Sequence, residues 1–206
     1  AIRRTDQANP RWRRPSPAAL AGGTAVVVEL TDGQRLIGSL GPWDSEELAE
    51  DAIDAIRAGA DDDAFAVLAP PFITESSEGS PAEGPIAAHH HATAIDAVPL
   101  GAVRRVLFDP WATGLIADRH EDHAMEREAD RDALTDDELV FINGDRLSGF
   151  VVSIDDSVRF DSGQGELEFP TARLAELRLG NPAQTSETAR LWYANGEIRN
   201  GLFVRS

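Results

Sequence analysis

The chain of 206 residues has no cysteine, no lysine, one methionine and one tyrosine. Without cysteine there is neither a disulfide framework nor a thiol nucleophile, and the redox compartment stays open. Every one of the 19 basic residues is arginine, which reflects a GC-rich coding genome rather than a chemical role. No apolar run is long enough to cross a membrane. No Gly-x-Ser-x-Gly elbow, phosphate-binding loop or dinucleotide fingerprint occurs. Against 36 acidic residues the net charge is −17. The apolar share, 42%, is near the globular average and permits a real core.

What the chain does contain is one short pattern written three times: Val26 to Gly38, Glu138 to Gly149 and Arg190 to Gly201. In each, apolar residues at two-residue spacing (Val28 and Leu30, Leu139 and Phe141, Leu191 and Tyr193) share one face of a strand. The dipeptides Asp32-Gly33, Asn143-Gly144 and Asn195-Gly196 then turn the chain, and predict two-residue type I′ hairpins. Five residues after each turn glycine stands a second one, Gly38, Gly149 or Gly201, which predicts a sharp strand bend. Leu40, Val151 and Phe203 then return to the apolar face.

Two copies share a later half. Val98 to Phe108 aligns without gaps on Phe169 to Leu179, at an offset of 71, whereas the hairpins are offset by 111. Copy one therefore carries 111 minus 71, or 40, extra residues and is a decorated version of copy two. The bare module reads as a hairpin, a strand at Ser157 to Asp161, a loop at Gly163 to Gly165, a strand at Glu166 to Phe169, a Pro170 turn and a fifth strand at Ala175 to Leu179. Five short strands predict a small, highly curved barrel. The expected fold class is thus mostly β: tandem, strongly bent, five-stranded barrels with an inserted helix and a linker helix.

The expected boundaries are a basic Pro/Arg arm at 1–20, decorated module one at 21–112, a helical linker at 113–136, module two at 137–183, and a third hairpin at 184–206 that completes module two or starts a further module. The arm holds Arg3, Arg4, Arg11, Arg13 and Arg14 against Asp6, so it carries +4 and leaves −21 on the remainder. Asp44 to Arg57 predicts a helix capped by Asp44 or Ser45, with a stripe of Leu48, Ala52, Ile53 and Ile56, ended by Gly59. Thr74 to Thr93 reads as a loop, and Asp118 to Leu134 as a charged helix with Met125, Ala129 and Ala133 on a thin stripe. The chain starts at Ala1 rather than Met and stops after a hairpin, and is read as an excised piece of a longer exported protein.

Metal-ligand chemistry has two candidates. His89, His90 and His91 are adjacent, so their side chains diverge; His120, His123 and Glu126 stand at three-residue spacing on a helix. Each such step falls short of a full turn, and Arg127 adds a cation to the same face. Solvated helix histidines are the simpler reading, and no catalytic residue, cofactor or ligand site is named. The acid runs Asp61 to Asp63, Asp136-Asp137 and Asp155-Asp156 are read as turn residues. Trp43, Trp111 and Trp192 serve the core before they serve sugar stacking, and Trp111 is placed at the barrel junction.

The order strand, Asp-Gly, strand, then a later strand pair resembles the Sm-like barrel family, most closely over Val26 to Gly38. That resemblance implies RNA binding or ring-like assembly. The family's Asp-x-x-x-Asn loop is missing: the stretches are Trp43-Asp44-Ser45-Glu46 and Asp155-Asp156-Ser157-Val158. A body of −21 also opposes phosphate backbones. Asn143 to Gly149, followed by Gly165 to Pro170, is similar to modules of large exported proteins of planctomycete-type bacteria, which often precede a carbohydrate-binding region. That likeness implies a non-catalytic spacer or adhesion module, periplasmic or secreted, whose partners are other domains of the same polypeptide, protein or polysaccharide. A metal-dependent enzyme built on His120, His123 and Glu126 is the third reading.

Overall fold

A computed structural model describes residues 14–58, 63–69, 94–113, 135–184, 189–193 and 196–201. It is mostly β. Module one contains β1 (Thr24–Leu30), β2 (Arg35–Leu40), β3 (Ala64–Ala69), β4 (Ala94–Pro99) and β5 (Val103–Phe108). Module two contains β6 (Asp137–Phe141), β7 (Arg146–Ile154), β8 (Ser157–Asp161), β9 (Glu166–Pro170) and β10 (Leu174–Arg178). The third hairpin is β11 (Ala189–Trp192) with β12 (Ile198–Gly201).

The duplication seen in the sequence holds bond by bond. Val28 faces Val106 and Leu139 faces Leu177, in β1·β5 and β6·β10, and both pairs slip register at the same point. Short 3-10 turns at Leu100–Ala102 and Thr171–Arg173 each follow a proline. Leu100 N–H donates to the Asp63 carbonyl (3.0 Å) as Thr171 N–H does to that of Asp156 (3.1 Å). Thr31 N–H donates to Ala102 (2.8 Å) as Ile142 N–H does to Arg173 (3.1 Å).

The turn type differs from the expected one. Gly33 and Gly144 have φ of +80° and +88°, but Asp32 and Asn143 do not have positive φ. Gly33 N–H donates to the Leu30 carbonyl and Leu30 N–H to that of Gln34; Gly144 and Gly196 repeat this with Phe141 and Tyr193. The first two are three-residue loops, a type I turn closed by a glycine in the left-handed region. The Asx side chain favours this form by accepting from the backbone two residues on: Gln34 N–H to Asp32 Oδ1 (3.0 Å) and Asp145 N–H to Asn143 Oδ1 (3.1 Å).

The second glycines sit where another backbone comes close. A Cβ on Gly149 would lie 2.2 Å from the Asp161 carbonyl oxygen, and one on Gly38 2.3 Å from that of Leu68. At Gly149 the strand β7 leaves β6 and takes up β8 from Phe150 onward.

The modules are not two separate barrels. All twelve strands belong to one sheet, with main path β11-β12-β2-β1-β5-β10-β6-β7-β8-β9. Module one joins module two through β5 and β10, antiparallel, with Val106 opposite Leu177. One core cluster draws on both halves, from Val26, Phe65 and Phe108 to Leu139, Phe160 and Leu177. β5 is paired with β1 and β10, and β10 with β5 and β6, so neither strand keeps a free edge, and both are buried along most of their length. The third hairpin lies on module one, where Ile198 pairs with Arg35 of β2.

Two helices decorate module one. In α1 (Pro17–Leu20), Ser16 caps the first turn and Leu20 is buried. Its carbonyl accepts from Ser39 Oγ at 3.0 Å, so the arm predicted over 1–20 is tied to the sheet by its last residues. In α2 (Glu46–Ala58), Ser45 is the cap, with Leu48 N–H donating to its Oγ. The helix packs on β3 and β4. Its inner face holds Leu48, Ala52 and Ile56, but Ile53 is exposed, which narrows the expected stripe. The loop at 74–93, the linker helix at 118–134 with Met125, and Gly59 fall outside the described residues.

Candidate functional site

Of the sequence-derived site residues, His89, His90, His91, His120, His123 and Glu126 all lie outside the described residues. Among the described residues no group of three or more His, Cys, Asp or Glu is placed to hold a metal ion.

Among the described residues, a concavity lies at the hairpin end of module one. The β1–β2 turn, the 3-10 turn after β4, Asp63 and Gln184 enclose a cavity of about 540 Å³. Its wall mixes apolar Leu30, Pro99 and Leu100 with Thr31, Gln34, Gln184 and two carboxylates, Asp32 and Asp63. Asp32 is already engaged: Gln34 donates to it from its backbone and from Nε2 (2.9 Å), and Asn200 Nδ2 reaches Oδ2 at 2.8 Å. Gln184 is held in the wall by its N–H bond to the Thr31 carbonyl (2.7 Å). Among its lining residues there is no histidine, serine or arginine. Such a wall offers hydrogen-bond acceptors and amides, which suit the binding of a polar ligand.

The third hairpin forms the flank of this end. Arg190 Nη2 donates to the Asp32 carbonyl (3.3 Å), and Asn200 N–H donates to Gln34 Oε1 (3.0 Å). Glu197, almost fully buried, accepts from Ile37 N–H on the β2 edge (3.4 Å) and from Arg199 (3.1 Å). Arg199 also reaches Asp96 on β4 at 2.8 Å. Burial pulls the Arg199 pKa down, but the Asp96 and Glu197 carboxylates outweigh it and the net shift is upward.

On the sheet face opposite the core, charges alternate across six strands. Arg35 meets Glu29 (3.2 Å), Glu29 meets Arg105 (2.9 Å), and Arg105 meets Glu176 (3.5 Å) across the module junction. Glu176 then takes Arg178 (3.0 Å), Arg178 takes Glu138 (2.7 Å), and Glu138 takes Arg146 (3.2 Å). Glu176 is only 2% exposed. At Arg178 burial lowers the pKa, and the hydrogen bond and charge of Glu176, with Glu138, override it and raise the value. This network spans the join between the modules, although the buried Arg105 Nε makes no hydrogen bond.

Sequence reasoning placed Asp137 at a turn, but it is a clamp. Its Oδ2 accepts from Val151 N–H and its Oδ1 from Gly180 N–H, both at 2.9 Å, which ties the module-two hairpin to the segment leaving β10. Asp155 and Asp156 do occupy the β7–β8 turn. Trp111 packs on Val27, Ile37 and Leu107, away from the main core, and Trp43 Nε1 donates to Ser39 Oγ (3.1 Å). Neither tryptophan lines the cavity. No family model, no curated protein and no solved structure matches this chain.

Proposed function

We propose that the chain is a non-catalytic structural or interaction module of a larger exported bacterial protein, working beside other domains of that polypeptide and in association with carbohydrate. Each half is read as a small Sm-like module, fused to its copy rather than free to form a ring. The observation that carries this reading is the β5·β10 junction, where the halves use equivalent strands to become one sheet over one core. Charged side chains cross-link that sheet, and the lining of its end cavity presents acceptors and amides. The wider likeness to planctomycete-type modules supports a place outside the cytoplasm.

The test is a thermal melt of the chain with polysaccharides, single-stranded RNA and divalent metals, with turnover assayed in parallel. A ligand that binds only the folded state adds about 2.7 kcal/mol at a hundredfold excess over its dissociation constant. A polysaccharide is expected to raise the melting temperature, while RNA and metals leave it unchanged. A salt-sensitive rise with RNA would replace this reading with the nucleic-acid one, and metal-dependent hydrolysis would replace it with an enzyme.

A further inference from the structure

The modules are equivalent strand by strand, yet their hairpin ends differ in occupancy. At module one the strand β3 meets β2 only at Ser39, so the start of β2 keeps an edge that β12 takes at Arg35. At module two β8 meets β7 only from Phe150 onward, so Arg146–Ser148 keeps the same edge, and among the described residues no strand takes it. The surroundings agree. Ile142 is 60% exposed where its equivalent Thr31 is 4% exposed, and Arg146 is 59% exposed where Arg35 is 24%. A Cβ on Gly144 would meet open space, whereas one on Gly33 would meet Arg190.

We infer that the hairpin end of module two docks a β-hairpin from outside residues 1–206, of the same strand–Asx-Gly–strand kind as β11–β12, by strand addition at Arg146–Ser148. The inference rests on the interaction-module reading above and names its partner. The chemistry is given by the docked example in module one. There an arginine donates to the Asp32 carbonyl and an asparagine to Gln34 Oε1. Module two has Asn143 in the place of Asp32 and Asp145 in the place of Gln34, so one amide and one carboxylate again stand at the turn, with Asn143 Nδ2 donating to Asp145 Oδ2 at 2.7 Å. Backbone bonds on an open edge supply affinity, and flanking side chains select the strand. The three Asp-Gly and Asn-Gly dipeptides of the chain already belong to its own hairpins, and residues 114–134, which follow module one, hold none. A further hairpin of this kind therefore lies outside residues 1–206.

The experiment titrates the isotope-labelled full chain with an unlabelled peptide of residues 189–201, linear and head-to-tail cyclised so that the hairpin is held. Saturable shifts are expected in the amide signals of Ile142, Gly144 and Arg146. They should vanish in Ile142→Arg, which alters an exposed side chain, while Asp32, Gly33 and Arg35 stay still. Shifts confined to Asp32, Gly33 and Arg35 would mean exchange with the chain's own hairpin and would overturn the inference, as would no shift with either peptide. Either failure leaves the ligand melts untouched, whereas turnover or an RNA-driven shift would remove the underlying reading itself.

Discussion

Val106 and Leu177 face each other across the β5·β10 junction, and each is the other's counterpart in the duplicated sequence. Their neighbours cross over in the same way: Leu107 lies opposite Glu176 and Arg105 opposite Arg178. A strand paired antiparallel with its own copy, centred on equivalent residues, has the geometry of a two-fold symmetric dimer interface. Here one chain supplies both sides.

Since the core spans that axis, the modules should unfold together. A single calorimetric transition is expected, and Leu177→Ala should lower it by about 2–5 kcal/mol without splitting it. Two resolved transitions would show that the halves are independent.

Gly149→Val should be severe. The added Cβ would stand 2.2 Å from the Asp161 carbonyl oxygen and 2.7 Å from the Phe160 ring, and neither backbone nor core can yield cheaply. A loss above about 3 kcal/mol in denaturant unfolding is expected. Unchanged unfolding would mean that β7 does not bend there.

Gly33→Ala and Gly144→Ala separate turn strain from docking. Both glycines have left-handed φ, so each substitution should cost about 1–2 kcal/mol. Only at Gly33 would the methyl also press on Arg190 Nη2, at 2.7 Å. Hydrogen exchange at Ile198 and Asn200 should therefore quicken in Gly33→Ala and not in Gly144→Ala.

Arg178→Met should cost about 3 kcal/mol, because it takes a hydrogen-bonded cation from buried Glu176 and removes an ion pair of Glu138. The pH dependence follows from the raised Arg178 pKa. A cation with an elevated folded value contributes its full stability below its ordinary pKa and loses it only as the pH climbs through the folded value. The gap between wild type and Arg178→Met, measured by denaturant unfolding, should stay constant from neutral pH upward until strong alkali, where it closes.

The strands and turns were legible in the sequence because Val28, Leu30, Leu139 and Phe141 alternate and Asx-Gly closes each hairpin. The loop length was not, since Asp-Gly suits both the two-residue turn and the three-residue one; what decides is the Asx carboxylate or amide accepting from Gln34 or Asp145. The join of the modules was hidden for another reason. Arg105 and Glu176 occupy alternate positions that read as solvent-facing, and only their opposite charges at equivalent places hinted that they meet. The docking of the third hairpin depends on Arg190, Glu197, Arg199 and Asn200, scattered contacts with no periodic signature. Of the candidate site, Asp63 was visible only as part of an acid run, and the cavity wall at Leu100 and Gln184 arises from chain crossings that no local pattern encodes.

The matched pairs Val28 with Val106 and Leu139 with Leu177 also measure what decoration does to folding. The first pair closes a loop of 78 residues (106 minus 28), the second one of 38 (177 minus 139). Doubling a loop raises its closure entropy by only about 0.6 kcal/mol. A small β-module can thus accept a forty-residue graft between strands at almost no thermodynamic penalty, so long as the graft leaves that closing pair in register. New surface features on such a scaffold are free to vary in length and content, while the closing strands keep the frame that carries them.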